Sequence, residues 1–429
     1  MSPSAREFLD GLFRNAVAAA HPESCLAQHL PPPPASGRLI LLAAGKAAGS
    51  MTEVAERHYV AGGLAPERLT GLAVTRHGYG CPTRHVPTVE VGHPMPDAAG
   101  IAATDRVLAL ADGARADDLV LVLVSGGASA NWIAPAPGLA LAEKQAVTGA
   151  LLRSGASIGE INTVRKHLSR IKGGRLALRA SRARLLTLAI SDVPGDDPAV
   201  IGSGPTVPDP TTLADARAIV ADRRLDLPQP AARALADGAN ETPKPGDAIF
   251  AKAEFRLIAR PADAFRAAEC AVRAAGYECV FLGDRVEGEA REVAAAHARL
   301  ALELAGGKRR AVILSGGELT VTIRGHGRGG PNQEYALALA IALAGTPGIR
   351  GLAGDTDGTD GGSGRPDDPA GAFVDETTLE RARGCGLDPA AFLANNDSTG
   401  FFAALGDLVA PGPTFTNVND FRAILVDAG

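Results

Sequence analysis

The sequence predicts an α/β protein of two domains: an N-terminal Rossmann-like domain with a doubly wound, mostly parallel sheet, and a C-terminal α/β domain with a mixed sheet. Three observations lead there. Short apolar runs such as RLILLAAG (38–45) and DLVLVLVSGG (118–127) alternate with helix-like stretches, the pattern of parallel strands covered on both faces. The chain has 429 residues with 46% hydrophobic content, beyond the size at which a single core stops growing. In LTVTIR (319–324) apolar and polar residues alternate, as in a half-exposed antiparallel strand, so the second sheet should mix directions.

The elements follow in order. SAREFLDGLFRNAVAAA (4–20) is an amphipathic helix without the basic flank and apolar stretch of a signal peptide, and no apolar run reaches membrane-spanning length. PPPP (31–34) reads as a stiff spacer. Strands are expected at 38–45, at LTGLAVTRHG, at 118–124 and at RLLTLAISD (184–192), with helices after the first strand and from Asp97 to Asp112. The proline-rich polar stretch 225–247 marks the domain boundary, giving domains 1–240 and 241–429. Beyond it come strand, helix, strand, then a long helix from about Gly288 to Leu304 leading into RRAVILSGGELTVTIRGHG.

Composition narrows the partners. Net charge is −5, from 43 basic and 48 acidic residues without blocks of one sign, which argues against nucleic acid and anionic membranes and for a small-molecule partner. Five widely spaced cysteines without a C-x-x-C pair suit free thiols in a reducing compartment, the cytoplasm.

The unusual residues lie at strand ends. Lys46, in AAGKAAG, follows a buried strand where a helix begins; a lysine there opposes the helix dipole unless an anion neutralises both. It is not a Walker lysine, since Ala47 stands where a hydroxyl is needed. SGGASAN (125–131) offers backbone N–H groups at Gly126 and Gly127 and the hydroxyls of Ser125 and Ser129, either for a phosphate or for an ordinary capped turn. Five basic residues crowd into 165–175, most of them expected in solvent. Asp192 ends a strand at the start of a long irregular loop, where it could hold magnesium or accept a hydroxyl proton. The acidic loop GDTDGTDGG supplies Asp355, Asp357 and Asp360; it is no EF-hand, because Pro366 stands where a glutamate is required. Asp357 and Asp360 could still hold magnesium through waters, or simply form Asx-turns. Near the C-terminus Asp397, Thr416, Asn417 and Asn419 could bind a polyhydroxylated ligand or cap helices. The histidines show no metal-ligand spacing, and no G-x-S-x-G elbow exists. GHGRGGPNQE (325–334) satisfies G-x-G-x-x-G and runs into a helix opened by Pro331, a place where phosphate is often held.

Taken together, AAGKAAGSM, VGHPMPD, LVSGGASA, NTVRKHLSRIKGGRLA, AISDVPGDDPAVIGSGPTVPDPTT, LSGGELTVTIRGHGRGGPNQE, GDTDGTDG and GPTFTNVND resemble the class II glycerate 2-kinases from about residue 5 to 426. The resemblance implies phosphorylation of D-glycerate at the 2-hydroxyl by ATP with Mg2+, in the cleft between the domains. It also implies catalytic roles for the lysine of A-G-K and the arginine of G-R-G-G, here Lys46 and Arg328. Some relatives carry arginine where this chain has Pro331. On this reading Asp192 orients or deprotonates the hydroxyl, and Gly325 to Gly330, with Gly327, Gly329 and Asn332, embraces a phosphate or the glycerate carboxylate. Ser125, Gly126, Gly127, Ser129 and Asn417 complete the binding set, and a homodimer is compatible with it. The rival readings are an NAD(P)H-dependent hydroxypyruvate reductase, built on G-x-G-x-x-G with Asp355 downstream, and a non-catalytic ligand-binding protein.

Overall fold

The computed structural model describes residues 4–361 and 365–427. Two compact units emerge, and their division differs from the expected one: Cys25–Ile258 forms one, and the chain from Ala259 onward joins the N-terminal segment up to Ser24 to form the other. No helix among the described residues is long and apolar enough to cross a membrane.

The helix Ala5–Ala20 explains the first difference. Leu9, Leu12, Phe13, Ala16 and Ala20 fall on one face at helical spacing and are buried. That face meets the later part of the chain: the Phe13 ring lies edge-on to Phe421 with centroids 6.1 Å apart. At its end, Thr416 Oγ1 donates to the Ala20 carbonyl at 2.7 Å. A Ser4 and Glu7 capping box closes its start. Phe13→Ala should destabilise this unit by about 3–5 kcal/mol in a denaturant titration, the usual cost of emptying an aromatic site; a change below about 1 kcal/mol would mean the helix is dispensable.

In the Cys25–Ile258 unit the strands are β1 (Leu39–Ala44), β2 (Leu69–Arg76), β3 (Thr88–Val91), β4 (Leu119–Val124), β5 (Arg184–Ile190) and β6 (Ala253–Ala259). Their order is β3-β2-β1-β4-β5-β6, and the neighbouring pairs from β3 to β5 run parallel. Every residue of β1 and β4 is buried, as their unbroken apolar runs require. Helix Ala98–Asp112, capped by the Asp97 carboxylate accepting the Gly100 N–H at 2.8 Å, starts where the sequence places it. The proline-rich stretch is not the seam. It contains a helix, Gln229–Ala236, and the strand after it, expected to open the second domain, becomes the edge of this first sheet.

The other unit has a seven-stranded sheet built from β7 (Glu278–Phe281), β8 (Val286–Glu289), β9 (Arg310–Thr320), β10 (Ile349–Asp355), β11 (Gly371–Val374), β12 (Leu408–Val409) and β13 (Asp420–Asp427). Its central pairs β9–β13, β13–β10 and β10–β11 are antiparallel, whereas β7 and β8 join β9 in parallel, so the sheet is mixed as expected. The alternating stretch behaves differently beyond Thr320: the strand ends there and Ile323 is exposed. The long helix runs Ala290–Gly306, and helix Pro331–Leu343 buries Tyr335, Leu337, Leu339 and Leu343 in the core.

Candidate functional site

In the first sheet the chain runs from β1 outward through β2 to β3, and from β4 outward through β5 to β6. β1 and β4 are therefore the neighbours at which the winding reverses, and ligands of open α/β sheets sit beyond the C-terminal ends of such a pair. The two loops there are Gly45–Ala47 and Ser125–Gly127. They are stitched together: the Lys46 N–H donates to the Gly126 carbonyl at 2.7 Å, and the Ala47 N–H donates to Ser125 Oγ at 2.9 Å. Gly45 permits this contact. Its φ is +116°, and a Cβ there would lie 2.3 Å from Ser125 Oγ. Lys46 is half-buried in the turn before helix Ala48–Ala61, not in its first turn. Its stem lies along Gly127, where an added Cβ would stand 3.4 Å from Lys46 Cγ and 3.1 Å from His93 Nε2.

Ser125 was expected as a ligand donor. Instead it is fully buried and clamps the two loops. Ser129, in the short helix that follows, is the hub of a polar cluster. Its hydroxyl lies 2.8 Å from Ser203 Oγ, takes an N–H from Arg165 at 2.8 Å, and meets the Lys172 ammonium at 3.0 Å. Lys172 also donates to the Ser129 carbonyl at 2.7 Å. The basic run 165–175 is thus not a solvated face. Lys166 is buried against Asp209 at 3.2 Å, Arg170 pairs with Asp105 at 2.6 Å, and Lys172 is 1% exposed. Burial, with Arg165 and Lys144 nearby, drives the Lys172 pKa well below the ordinary lysine value. Asp192 is half-buried just past β5, at the same end of the parallel sheet as Lys46.

The glycine-rich segment of the second unit is filled by an internal carboxyl group, that of Asp360. At the start of helix Pro331–Leu343, the Asn332 and Gln333 backbone N–H groups donate to the Asp360 carboxylate at 3.0 and 2.8 Å, and both side-chain amides add bonds at 3.2 and 3.1 Å. Pro331 takes the first helical position, where its missing N–H costs nothing. The preceding N–H groups are also engaged: Gly325 with Asn396 Oδ1, His326 with Asn395 Oδ1, Gly327 with the Asn395 carbonyl and Arg328 with Asp397 Oδ1. The glycines are required by proximity. A Cβ on Gly325, Gly327, Gly329 or Gly330 would come within 2.5 Å of Asn395, Asp397, Ser398 or Asp360. Gly327 and Gly329 are therefore fixed by close packing.

What this packing presents is Arg328. Its side chain is exposed, its N–H and carbonyl are pinned to Asp397 and Thr399, and it lines a cavity of about 310 Å³ with Arg365, Asp367, Asp368 and Thr399. The other acidic candidates carry hydrogen bonds of their own. Asp360 is fully engaged, and Asp357 Oδ1 accepts the Thr359 N–H and hydroxyl as an Asx-turn. Asn332 is buried and bridges Asp360 to Asp420, with 2.6 Å to the latter. Asn417 is likewise buried and receives the Asn419 N–H at 3.3 Å. Among the described residues no three His, Cys, Asp or Glu side chains cluster as a metal cage.

Comparison with known proteins bears on this arrangement. A domain family of unknown function matches residues 8–236, and the MOFRL family matches residues 311–420. The D-glycerate 2-kinase of Thermotoga maritima is 38% identical, covering 95% of each chain. This chain belongs to the glycerate 2-kinase family. A protein of Agrobacterium vitis that carries the provisional name hydroxypyruvate reductase is 47% identical over 99% of this chain and 95% of its own. The crystal structure of glycerate kinase from Thermotoga maritima superimposes with a TM-score of 0.85 at 36% identity, covering 99% of both chains.

Proposed function

We propose that this chain phosphorylates D-glycerate at its 2-hydroxyl, with ATP as phosphoryl donor, releasing ADP and 2-phosphoglycerate. The observation that carries this reading is the Lys46 turn locked onto the Ser125–Gly127 turn at the point where the sheet reverses. Phosphoryl transfer asks the protein for positioned reactants and positive charge around the migrating group, with little covalent participation. Lys46 supplies that charge from a turn fastened by backbone hydrogen bonds; Arg328, exposed on an anchored loop of the other unit, is a further cation for the phosphates. The 2-hydroxyl oxygen forms the new bond to the γ-phosphorus as the bond to the β-γ bridging oxygen breaks; the hydroxyl proton passes to Asp192.

Magnesium, when bound, neutralises phosphate charge. An ion carried mainly by phosphates and water needs only one or two protein carboxylates, and no three-ligand cluster is found among the described residues. Asp192 fits that role, with Asp357 a second candidate; Asp360, whose oxygens already accept four N–H bonds, does not. The five cysteines are free thiols, in keeping with a cytoplasmic location.

The reductase reading loses support at the glycine pattern itself, since the N–H groups of residues 325–328, 332 and 333 donate to Asn395, Asn396, Asp397 and Asp360. The test is product identification. D-glycerate, ATP and Mg2+ incubated with the protein should yield 2-phosphoglycerate by phosphorus NMR, and NADH with hydroxypyruvate should lose no absorbance. Phosphate at the 3-position, or NADH oxidation without ATP consumption, overturns the reading.

A further inference from the structure

We infer that Arg165, supported by Ser129, Lys172 and Ser203, forms an oxyanion subsite that takes the carboxylate of the hydroxy-acid substrate. This rests on the proposed kinase activity and deepens it.

Three independent features converge. The first is charge without a counter-charge. Among the described residues neither Arg165 nor Lys172 has a carboxylate within ion-pair distance, whereas the neighbouring Lys166 and Arg170 do. A buried cation lacking a partner is costly, and proteins keep one where a ligand supplies the missing anion. Desolvation already lowers the pKa of both groups.

The second is unused hydrogen-bonding capacity. Lys172 spends its donors on Ser129 and so fixes that residue; the half-buried guanidinium of Arg165 gives one N–H to Ser129 and one to Asn162 Oδ1, leaving the rest of its five-donor fork. Two residues beyond Ser129, Asn131 is fully buried, and neither of its amide atoms has a partner among the described residues. Orphaned buried amides are rare and call for an explanation.

The third is backbone strain. Gly202, Ser203 and Gly204 all take left-handed conformations with φ of +58°, +65° and +59°. A serine there is disfavoured, and it is held with its hydroxyl against Ser129. A planar carboxylate suits the guanidinium fork. Ser129 lies in the short helix that follows the Ser125–Gly127 turn, two residues past Gly127, where an added Cβ would stand 3.4 Å from Lys46 Cγ, so the subsite adjoins the loop where transfer is proposed.

Steady-state kinetics on Arg165→Met decide the matter. KM for D-glycerate should rise roughly 10- to 100-fold, the loss expected for a charge-assisted pair, with KM for ATP little changed. Arg165→Lys, which keeps the charge and loses the fork, should recover only part and covers the case in which the methionine variant misfolds. A rise confined to ATP would place a nucleotide phosphate in the subsite and overturn the carboxylate assignment. Both KM values within twofold of wild type, in a folded variant, would overturn the subsite itself. A readout independent of turnover separates this from failure of the kinase reading: inorganic phosphate should raise the thermal midpoint of wild type and not that of Arg165→Met. Equal shifts in both proteins would refute the site even if the wild type phosphorylates glycerate.

Discussion

Lys46→Ala is expected to lower kcat by roughly 10²- to 10³-fold, the effect of deleting one preorganised group that stabilises developing charge, while the protein stays folded. The reason the fold should survive is local. The turn is fastened by backbone: the residue-46 N–H to Gly126, the Ala47 N–H to Ser125 and the left-handed Gly45, none of which involves the lysine side chain. The half-buried stem contributes only modest packing along Gly127. Thermal midpoints of wild type and variant should therefore agree within a few degrees, and the deficit should appear in kcat more than in either KM, because the charge acts on the migrating phosphoryl group. Lys46→Arg should not restore turnover, since a planar fork does not replace a compact ammonium beside Gly127. A Lys46→Ala enzyme with near-normal kcat removes the lysine from the mechanism.

The features that sequence made legible are those governed by local rules. Unbroken apolar runs named β1, β4 and β5, and the residues just past their ends, Lys46, Ser125–Gly127 and Asp192, lie where a parallel sheet gathers its ligand loops. What stayed hidden depends on partners distant in sequence. Residues 253–259 read as a strand, but only pairing with β5 tells which sheet they complete. The N-terminal helix shows its apolar face, not that Phe421, some four hundred residues later, covers it. Arg165 and Lys172 look solvated because charge usually is; their burial follows from Ser129 and from the backbone turning at Ser203. In these cases the missing signal was an unexplained density of charge. The glycine motif misled for a related reason: its pattern matches a phosphate loop, and the acceptors that satisfy it come from Asp360 and from the turn at 395–397.

That last point yields an experiment in which two readings of GRGGPNQ diverge. If the segment were open to phosphate, Asp360→Ala would leave stability alone and disturb nucleotide binding. If the Asp360 carboxyl group is the resident partner of the Pro331 helix, the variant orphans the backbone N–H groups of Asn332 and Gln333 and an amide of each, and at about 1–3 kcal/mol for each buried unpaired group the loss should be at least about 3 kcal/mol. Arg328 would then lose its footing, and activity should fall in parallel. The dependence on pH sharpens the contrast. Burial pushes the Asp360 pKa up to about 7, with N–H bonds from Gln333 and Asn332 opposing and nearby Asp420 adding to the rise. Because the folded value exceeds the ordinary 3.8, the native state holds the proton more tightly; the associated stability is complete below about pH 4 and is lost as pH climbs through about 7. Asp360→Asn keeps one acceptor and cannot ionise. Its deficit relative to wild type, measured by chemical denaturation, should be largest at about pH 4 and shrink steadily to a floor by about pH 8. A difference that stays flat across that range would mean Asp360 is ionised throughout, with its N–H donors outweighing its burial.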